Sequence, residues 1–119
     1  MLDTIINSID NIYENININK AIFITKYDLI DNLQKELSNK LYPVCTMNDN
    51  DKFINHKSRI LIINSIDLEN LRNNRSLKYE LYNVNVIIFI ETPIIPNNFF
   101  FKDYFNLDTL SNNKHIYQI

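Results

Sequence analysis

Apolar residues follow two kinds of spacing along this chain, and the two alternate. In LDTIINSIDNIYEN (2–15) and KYDLIDNLQKELSNKL (26–41) they recur every three or four positions, as on one face of an amphipathic helix. In AIFIT (21–25) and RILIIN (59–64) they form short unbroken runs, which are typical of strands buried on both faces. Strands that alternate with helices in this way predict a parallel sheet covered by helices.

The remaining segments extend the same order. Further strands are predicted at YPVCTM (42–47), NVNVIIFIE (83–91) and KHIYQI (114–119), and further helices within NDNDKFINHK (48–57), SIDLENL (65–71), RSLKYEL (75–81) and NNFFFKDYFNLDTL (97–110). We therefore expect one α/β domain over residues 1–119: a three-layer, open, mainly parallel five-stranded sheet with helices on both faces. The helix within residues 1–16 is expected to pack on it. A chain of 119 residues is long enough for one such core and too short for two.

The helix predicted over residues 26–41 has the clearest pattern. Its apolar side consists of Leu29, Ile30, Leu33, Leu37 and Leu41. Oppositely charged residues four positions apart, Asp31 with Lys35 and Glu36 with Lys40, are expected to pair on its surface.

The segment TPIIPNNFFFKDYF (92–105) holds more aromatic rings than one helix face can bury. A helix that begins after Pro96 places one apolar stripe on the sheet and a second stripe beside it. Either the domain covers both stripes itself, or the second stripe docks a protein partner. The candidate partner-binding residues are Phe99, Phe100, Tyr104 and Leu107.

Composition excludes several functions. The chain has no glycine, so glycine-rich phosphate loops and the EF-hand loop are absent. A net charge of -2 disfavours a general nucleic-acid binder. The apolar runs are too short to span a bilayer, the N-terminus lacks a signal-peptide pattern, and Cys45 is the single cysteine, so we expect an intracellular protein without a membrane partner.

The abundance of Asn, Ile, Lys, Tyr and Phe is typical of a protein from an AT-rich genome, for which a large DNA virus is the favoured source. In that case the protein acts in the host cytoplasm or the virion.

The order of elements resembles the second RecA-like lobe of superfamily-two helicases, most closely the chromatin-remodeller branch. KAIFITKYDLIDNLQKEL is similar to the strand and helix that open that lobe, and YPVCTM to its next strand. DKFINHKSRILIINSIDLENL resembles the stretch that leads to a Gly-Leu-Asn-Leu element, and the run from Val84 to Ile119 matches the closing strand, loop, helix and strand. The resemblance extends from about Asn19 onward and implies a RecA-like or Rossmann-like fold.

This chain departs from the family at the residues that carry its chemistry. The family's closing helix holds two arginines that reach the ATP on the first lobe, and the aligned residues here are Tyr104 and Leu107. Glu69 stands where the family has the glycine of its Gly-Leu-Asn-Leu element. The resemblance therefore implies a degenerate lobe that has lost its catalytic motifs, is not an enzyme and needs no cofactor.

Polar residues follow the predicted strands at the edge where open parallel sheets bind ligands. They are Thr25, Lys26, Asn48, Asn64, Ser65, Glu91 and Thr92. They are interpreted first as loop polar groups that cap the adjoining helices. The alternative is a ligand or nucleotide site formed by Lys26, Asn48, Ser65 and Thr92.

Other candidates have simpler interpretations. Cys45 is expected to be a small core residue, and His56 and His115 lack partners at metal-ligand spacing. The most basic portion of the chain is interrupted by Glu69 and Glu80 and is expected to be a solvated helix face; nucleic-acid contact is the alternative. Its cations are Arg59, Arg72, Arg75 and Lys78.

Three functional hypotheses follow. The first is a protein-interaction or self-associating accessory subunit, for example of a viral transcription, replication or packaging assembly. The second is a small flavodoxin-like ligand- or nucleotide-binding domain. The third is a nucleic-acid accessory protein, placed last because of the net negative charge.

Overall fold

Five strands form one parallel sheet in the computed structural model, which describes residues 2–93 and 115–119 apart from the side chains of Glu69 and Arg72. The strands are β1 (Lys20–Thr25), β2 (Val44–Thr46), β3 (Ile60–Asn64), β4 (Val84–Phe89) and β5 (His115–Gln118). Their order across the sheet is β2-β3-β1-β4-β5, and every pairing is parallel. The predicted α/β class with a five-stranded sheet is confirmed.

Helices cover both faces of this sheet. They are α1 (Leu2–Asn15), α2 (Ile30–Asn39), α3 (Asp51–Ile54), α4 (Asp67–Asn73) and α5 (Arg75–Glu80), with short 3₁₀ turns at Tyr27–Leu29, Met47–Asp49 and Leu81–Asn83. None of the helices in the described part of the chain is long and apolar enough to cross a membrane. The helix predicted over 97–110, with Phe99, Phe100, Tyr104 and Leu107, lies outside the described residues.

The two faces have separate hydrophobic cores. On one face, α1 and α2 pack against side chains of alternate strand positions, such as Phe23 and Ile62. On the other, α3, α4 and α5 pack against the intervening positions, such as Ile22 and Leu61. The central strand β1 is buried at all six positions. The predicted strand over residues 21–25 accounts for five of them, and the sixth is Lys20.

The direction of each crossover determines which face its helix covers. The connection from β1 to β2 contains α2 and runs toward one edge of the sheet. The connection from β2 to β3 contains α3, the connection from β3 to β4 contains α4 and α5, and both run in the opposite direction. Because crossovers share one handedness, a reversal of direction moves the helix to the opposite face. The helices that follow β1 and β3 therefore leave the sheet on opposite faces.

Two helices end in left-handed residues although the chain has no glycine. After α2, Tyr42 N–H donates to Leu37 O and Leu41 N–H donates to Ser38 O, which is the Schellman pattern, and Leu41 has φ 67°. After α3, His56 has φ 65° in the same pattern. Leu41 was predicted on the buried side of the helix, and this is wrong. It lies beyond the end of α2 and is 90% exposed.

The predicted pair of Glu36 with Lys40 is replaced by a longer-range contact. Lys40 Nζ contacts Asp10 Oδ2 on α1 at 2.5 Å, and the Tyr42 hydroxyl donates to Asp10 Oδ1. Hydrogen bonds from Lys40 and Tyr42 lower the pKa of Asp10. This contact joins α1 to the end of α2, whose apolar residues share one core with those of α1.

Replacing Leu41 by glycine is expected to raise the free energy of unfolding by about 1 kcal/mol, because glycine adopts positive φ without steric strain and the lost side chain is exposed. Urea unfolding followed by circular dichroism measures the change. Ile66→Gly is the matched control, since Ile66 is 78% exposed but has φ -70°. The Ile66→Gly variant is expected to have a lower free energy of unfolding than the natural chain. A lower free energy of unfolding in Leu41→Gly as well would contradict the assignment of backbone strain at Leu41.

Candidate functional site

The carboxyl edge of the sheet, where the strands end, contains a pocket at the point where the chain leaves β1 and β3 on opposite faces. This is the position at which open α/β sheets bind ligands. The pocket has a volume of about 260 Å³. It is lined by Tyr27, Ile30, Asp31, Thr46, Met47, Asn48, Ile62, Asn64 and Asp67.

Several polar groups of this pocket already serve as helix caps. Asn64 Oδ1 accepts from the N–H groups of Ile66 at 2.9 Å and Asp67 at 3.1 Å, at the start of α4. Asp49 Oδ1 accepts from Thr46 N–H at 2.8 Å in the turn after β2. The interpretation of Asn64 as a capping residue is confirmed, and the local sequences that form the pocket wall are helix-start signals.

The four residues predicted for a ligand site are divided between different places along this edge. Asn48 lines the pocket, and Lys26 and Ser65 adjoin the lining residues Tyr27 and Asn64 in sequence. Thr92 lies at the ends of β4 and β5, where its carbonyl accepts from Gln118 Nε2 at 3.2 Å. The structure therefore does not join all four in the pocket.

Acidic and exposed apolar side chains dominate the rim. Asp31, Asp67 and Tyr27 line the pocket, and Tyr27 is 81% exposed. Ile66, which precedes Asp67 in the sequence, is 78% exposed. The loops that follow β1 to β4, together with the first turns of the helices after them, carry more acidic than basic residues. The acidic residues are Asp28, Asp31, Asp49, Asp51, Asp67 and Glu91, against Lys26 and Lys52, and Lys52 pairs with Asp49 at 3.3 Å. The carboxyl edge is thus an acidic surface with two protruding apolar groups.

Cys45 and the histidines add no chemistry to this edge. Cys45 is fully buried, and burial together with Asp49 raises the pKa of its thiol to about 12, so it stays protonated, as expected of a core residue. Among the described residues, no group of three His, Cys, Asp or Glu side chains could hold a metal ion.

At the amino edge, where the strands begin, a lysine is buried inside the domain. Lys20 is 0% exposed, and its Nζ lies 2.6 Å from Glu80 Oε1 and 4.5 Å from the centre of the Phe53 ring. It also donates to Phe53 O near the end of α3. Asn83 donates to the same Glu80 oxygen at 2.8 Å. Burial opposes ionisation of Glu80, but the hydrogen bonds from Lys20 and Asn83 outweigh it and lower the pKa of Glu80.

Of the predicted basic residues, Arg59 directly precedes β3, and Arg75 and Lys78 lie on α5, the helix that ends at Glu80. Arg59, Arg75 and Lys78 are exposed, whereas nothing is described of the Arg72 side chain. Glu80 was predicted to interrupt the basic portion at the surface, and this is wrong because its carboxylate points inward to Lys20.

Sequence reasoning missed Lys20, Glu80, Tyr27 and Ile66 as residues of interest. A signal for Lys20 was present, since Lys20, Ile22 and Ile24 alternate along β1 and so lie on the same face. No comparable sequence pattern predicts the exposure of Tyr27 or Ile66, because each lies within a segment that was predicted to be helical.

Comparison with known proteins gave no match among protein-family models and no significant match among curated proteins. The helicase-lobe resemblance therefore stays a prediction carried by the quoted segments. The five-stranded parallel sheet is compatible with it.

Replacing Lys20 by methionine is expected to lower the free energy of unfolding by about 3 kcal/mol, because Glu80 then loses its cation in a buried site. The double variant Lys20→Met/Glu80→Leu is expected to recover most of this loss, as apolar replacements of buried pairs do. Urea unfolding at neutral pH measures both. A double variant no more stable than the single variant would contradict the pairing.

The pair also predicts a pH dependence. Because the folded-state pKa of Glu80 lies below 4.5, its contribution to stability is fully present above that pH and is lost as pH falls through the lowered value. The stability difference between the natural chain and Glu80→Gln should therefore shrink on acidification. A stability difference between the two proteins that grows on acidification would show that the folded-state pKa of Glu80 is raised instead.

Proposed function

We propose that this chain is a non-catalytic protein-interaction domain that binds a basic, partly apolar segment of another protein at its carboxyl edge. The observation that carries the proposal is the exposure of Tyr27 and Ile66 beside the acidic pocket. Exposed apolar groups rimmed by polar ones are typical of docking surfaces. An aromatic anchor such as Tyr27 supplies much of the binding energy in such contacts.

The charge of this edge identifies the chemistry of the partner segment. Asp31 is exposed at the pocket wall, and Asp67 lies on the opposite wall at the start of α4. A pocket of about 260 Å³ has room for one long side chain, and a lysine or arginine would meet carboxylates there. Apolar neighbours of that cation would then contact Tyr27 and Ile66.

The alternative of a ligand- or nucleotide-binding domain is supported by the position of the pocket at the switch in strand order. Its charge opposes a phosphate ligand, since Asp31 and Asp67 would repel the anion. Ile66 does not line the pocket, so its exposure is explained by a protein contact and not by a small ligand. The protein segment is therefore the favoured occupant.

The broader setting stays as the sequence resemblance suggests: an accessory subunit, derived from a helicase lobe, of a viral transcription, replication or packaging assembly. The second stripe of the predicted closing helix, with Phe100 and Tyr104, would extend the same protein contact or serve self-association.

Site-directed photo-crosslinking tests the proposal. A benzophenone side chain is placed at position 27 or 66, and the protein is irradiated in an extract of its native source. We expect one discrete protein adduct from both positions. Position 41 is the matched control, because Leu41 is equally exposed but lies beyond the end of α2, near the start of β2. Asp31→Lys should abolish the adduct by reversing the charge of the pocket wall.

Two outcomes would contradict the carboxyl-edge site. One is an equal adduct from position 41, which would indicate non-specific contact. The other is loss of the adduct in Phe100→Asp or Tyr104→Asp together with full retention in Asp31→Lys. That result would place the contact on the predicted closing helix.

A further inference from the structure

The two outer strands of the sheet differ in how well they are protected from pairing with another chain. β2 is three residues long and directly follows Pro43, and its Thr46 N–H is already bonded to Asp49 Oδ1 at 2.8 Å. Short length, a proline and a loop along the edge all hinder the addition of a further strand. β5 has none of these features in the described part of the chain, where it pairs on one side only, with β4.

The backbone bonds of Ile119 show which groups of β5 face outward. Ile119 N–H donates to Phe89 O at 2.8 Å, and Ile119 O accepts from Glu91 N–H at 2.9 Å, so both groups of Ile119 face β4. Along a strand, successive residues direct their N–H and C=O groups to opposite sides. The residues at the intervening positions, Ile116 and Gln118, therefore direct theirs away from the sheet. These two N–H and two C=O groups are the outward groups of the β5 edge.

The outward groups are self-complementary about Tyr117. When a second copy of β5 lies antiparallel with its Tyr117 opposite Tyr117, each Ile116 lies opposite Gln118 of the other copy. Each such pair exchanges two N–H···O=C bonds, so all outward groups of both copies are bonded. Any other antiparallel register within residues 115–119 pairs fewer of them. A contact of this kind is two-fold symmetric and closes after two copies.

The side chains of β5 suit the same arrangement. Ile116 packs partly on one hydrophobic core, and Tyr117 and Ile119 pack partly on the other, so both cores end at this strand with half-buried apolar groups. In the pairing about Tyr117, the two tyrosine rings become cross-strand neighbours on one face. The run HIYQI (115–119) contains no Asp, Glu, Lys or Arg, so two copies bring no like charges together. These features identify a second copy as the occupant.

We propose that the β5 edge binds a second copy of this chain and forms a two-fold dimer with one continuous sheet of five strands from each copy. Only the two protected β2 edges then remain at the ends of the sheet. None of the residues that line the carboxyl-edge pocket belongs to β4 or β5. The dimer contact is therefore separate from the protein-binding site proposed above.

Sedimentation velocity over a concentration series tests this proposal. We expect a reversible dimer, and Gln118→Pro should raise its dissociation constant at least about tenfold, because proline removes an outward N–H from each copy. The fold should tolerate proline there, since that N–H does not face β4. Gln118→Ala is the matched control: it removes the same side chain and its bond to Thr92 O but keeps the N–H, so it should dimerise like the natural chain.

Disulfide crosslinking under mild oxidation tests the register. In Tyr117→Cys the two cysteines lie opposite each other with Cα atoms about 4.5 Å apart, within disulfide reach, so a crosslinked dimer is expected. In Gln118→Cys the two cysteines are diagonal neighbours about 7–8 Å apart and should crosslink far more slowly. Cys45 is fully buried, so the natural chain should not crosslink. Circular dichroism verifies that each variant is folded.

Asp31→Lys separates this contact from the protein-binding site, because it should leave the dimer unchanged. Four results would overturn the proposal. They are a chain that stays monomeric up to about 0.1 mM, equal weakening in Gln118→Pro and Gln118→Ala, equal crosslinking from positions 117 and 118, and a dimer that survives Gln118→Pro but is lost in Phe100→Asp. The last result would place self-association on the predicted closing helix.

Discussion

The ion pair between Lys20 and Glu80 is the interaction on which the arrangement of this domain depends. Lys20 begins the central strand and is fully buried, so its ammonium group must find both a counter-charge and hydrogen-bond acceptors. Glu80 supplies the charge, and the carbonyl and ring of Phe53 complete the environment. The pair therefore fixes α3 and the end of α5 against β1, which determines how one whole face of the sheet is covered.

The same pair also changes the surface of the amino edge. It turns the carboxylate of Glu80 inward to Lys20, so that Glu80 does not lie on the exposed face of α5. At the other edge, the loops after the strands carry the acidic residues and the caps of the helices.

Much of the fold could be predicted because the strands are unbroken apolar runs and the helices have regular apolar spacing. The strand order could not be predicted, since it depends on how many strands each crossover connection passes over and not on any local sequence pattern. The position of Leu41 was predicted wrongly because glycine is the usual sequence signal of a Schellman turn at a helix end, and this chain has no glycine. The capping role of Asn64 was foreseeable from its position before α4. The burial of Lys20 was indicated only by its alternation with Ile22 and Ile24 along β1, and this signal was missed because lysine at a strand start usually marks the solvent boundary.

The most direct test of this account is the side-chain carboxyl ¹³C shift of Glu80, followed by NMR as the folded protein is acidified. Pairing with Lys20 predicts a titration midpoint below 4.5. A midpoint at or above 4.5 would mean that the carboxylate is not held by the lysine, and the pair would then not explain how α3 and the end of α5 are fixed against β1.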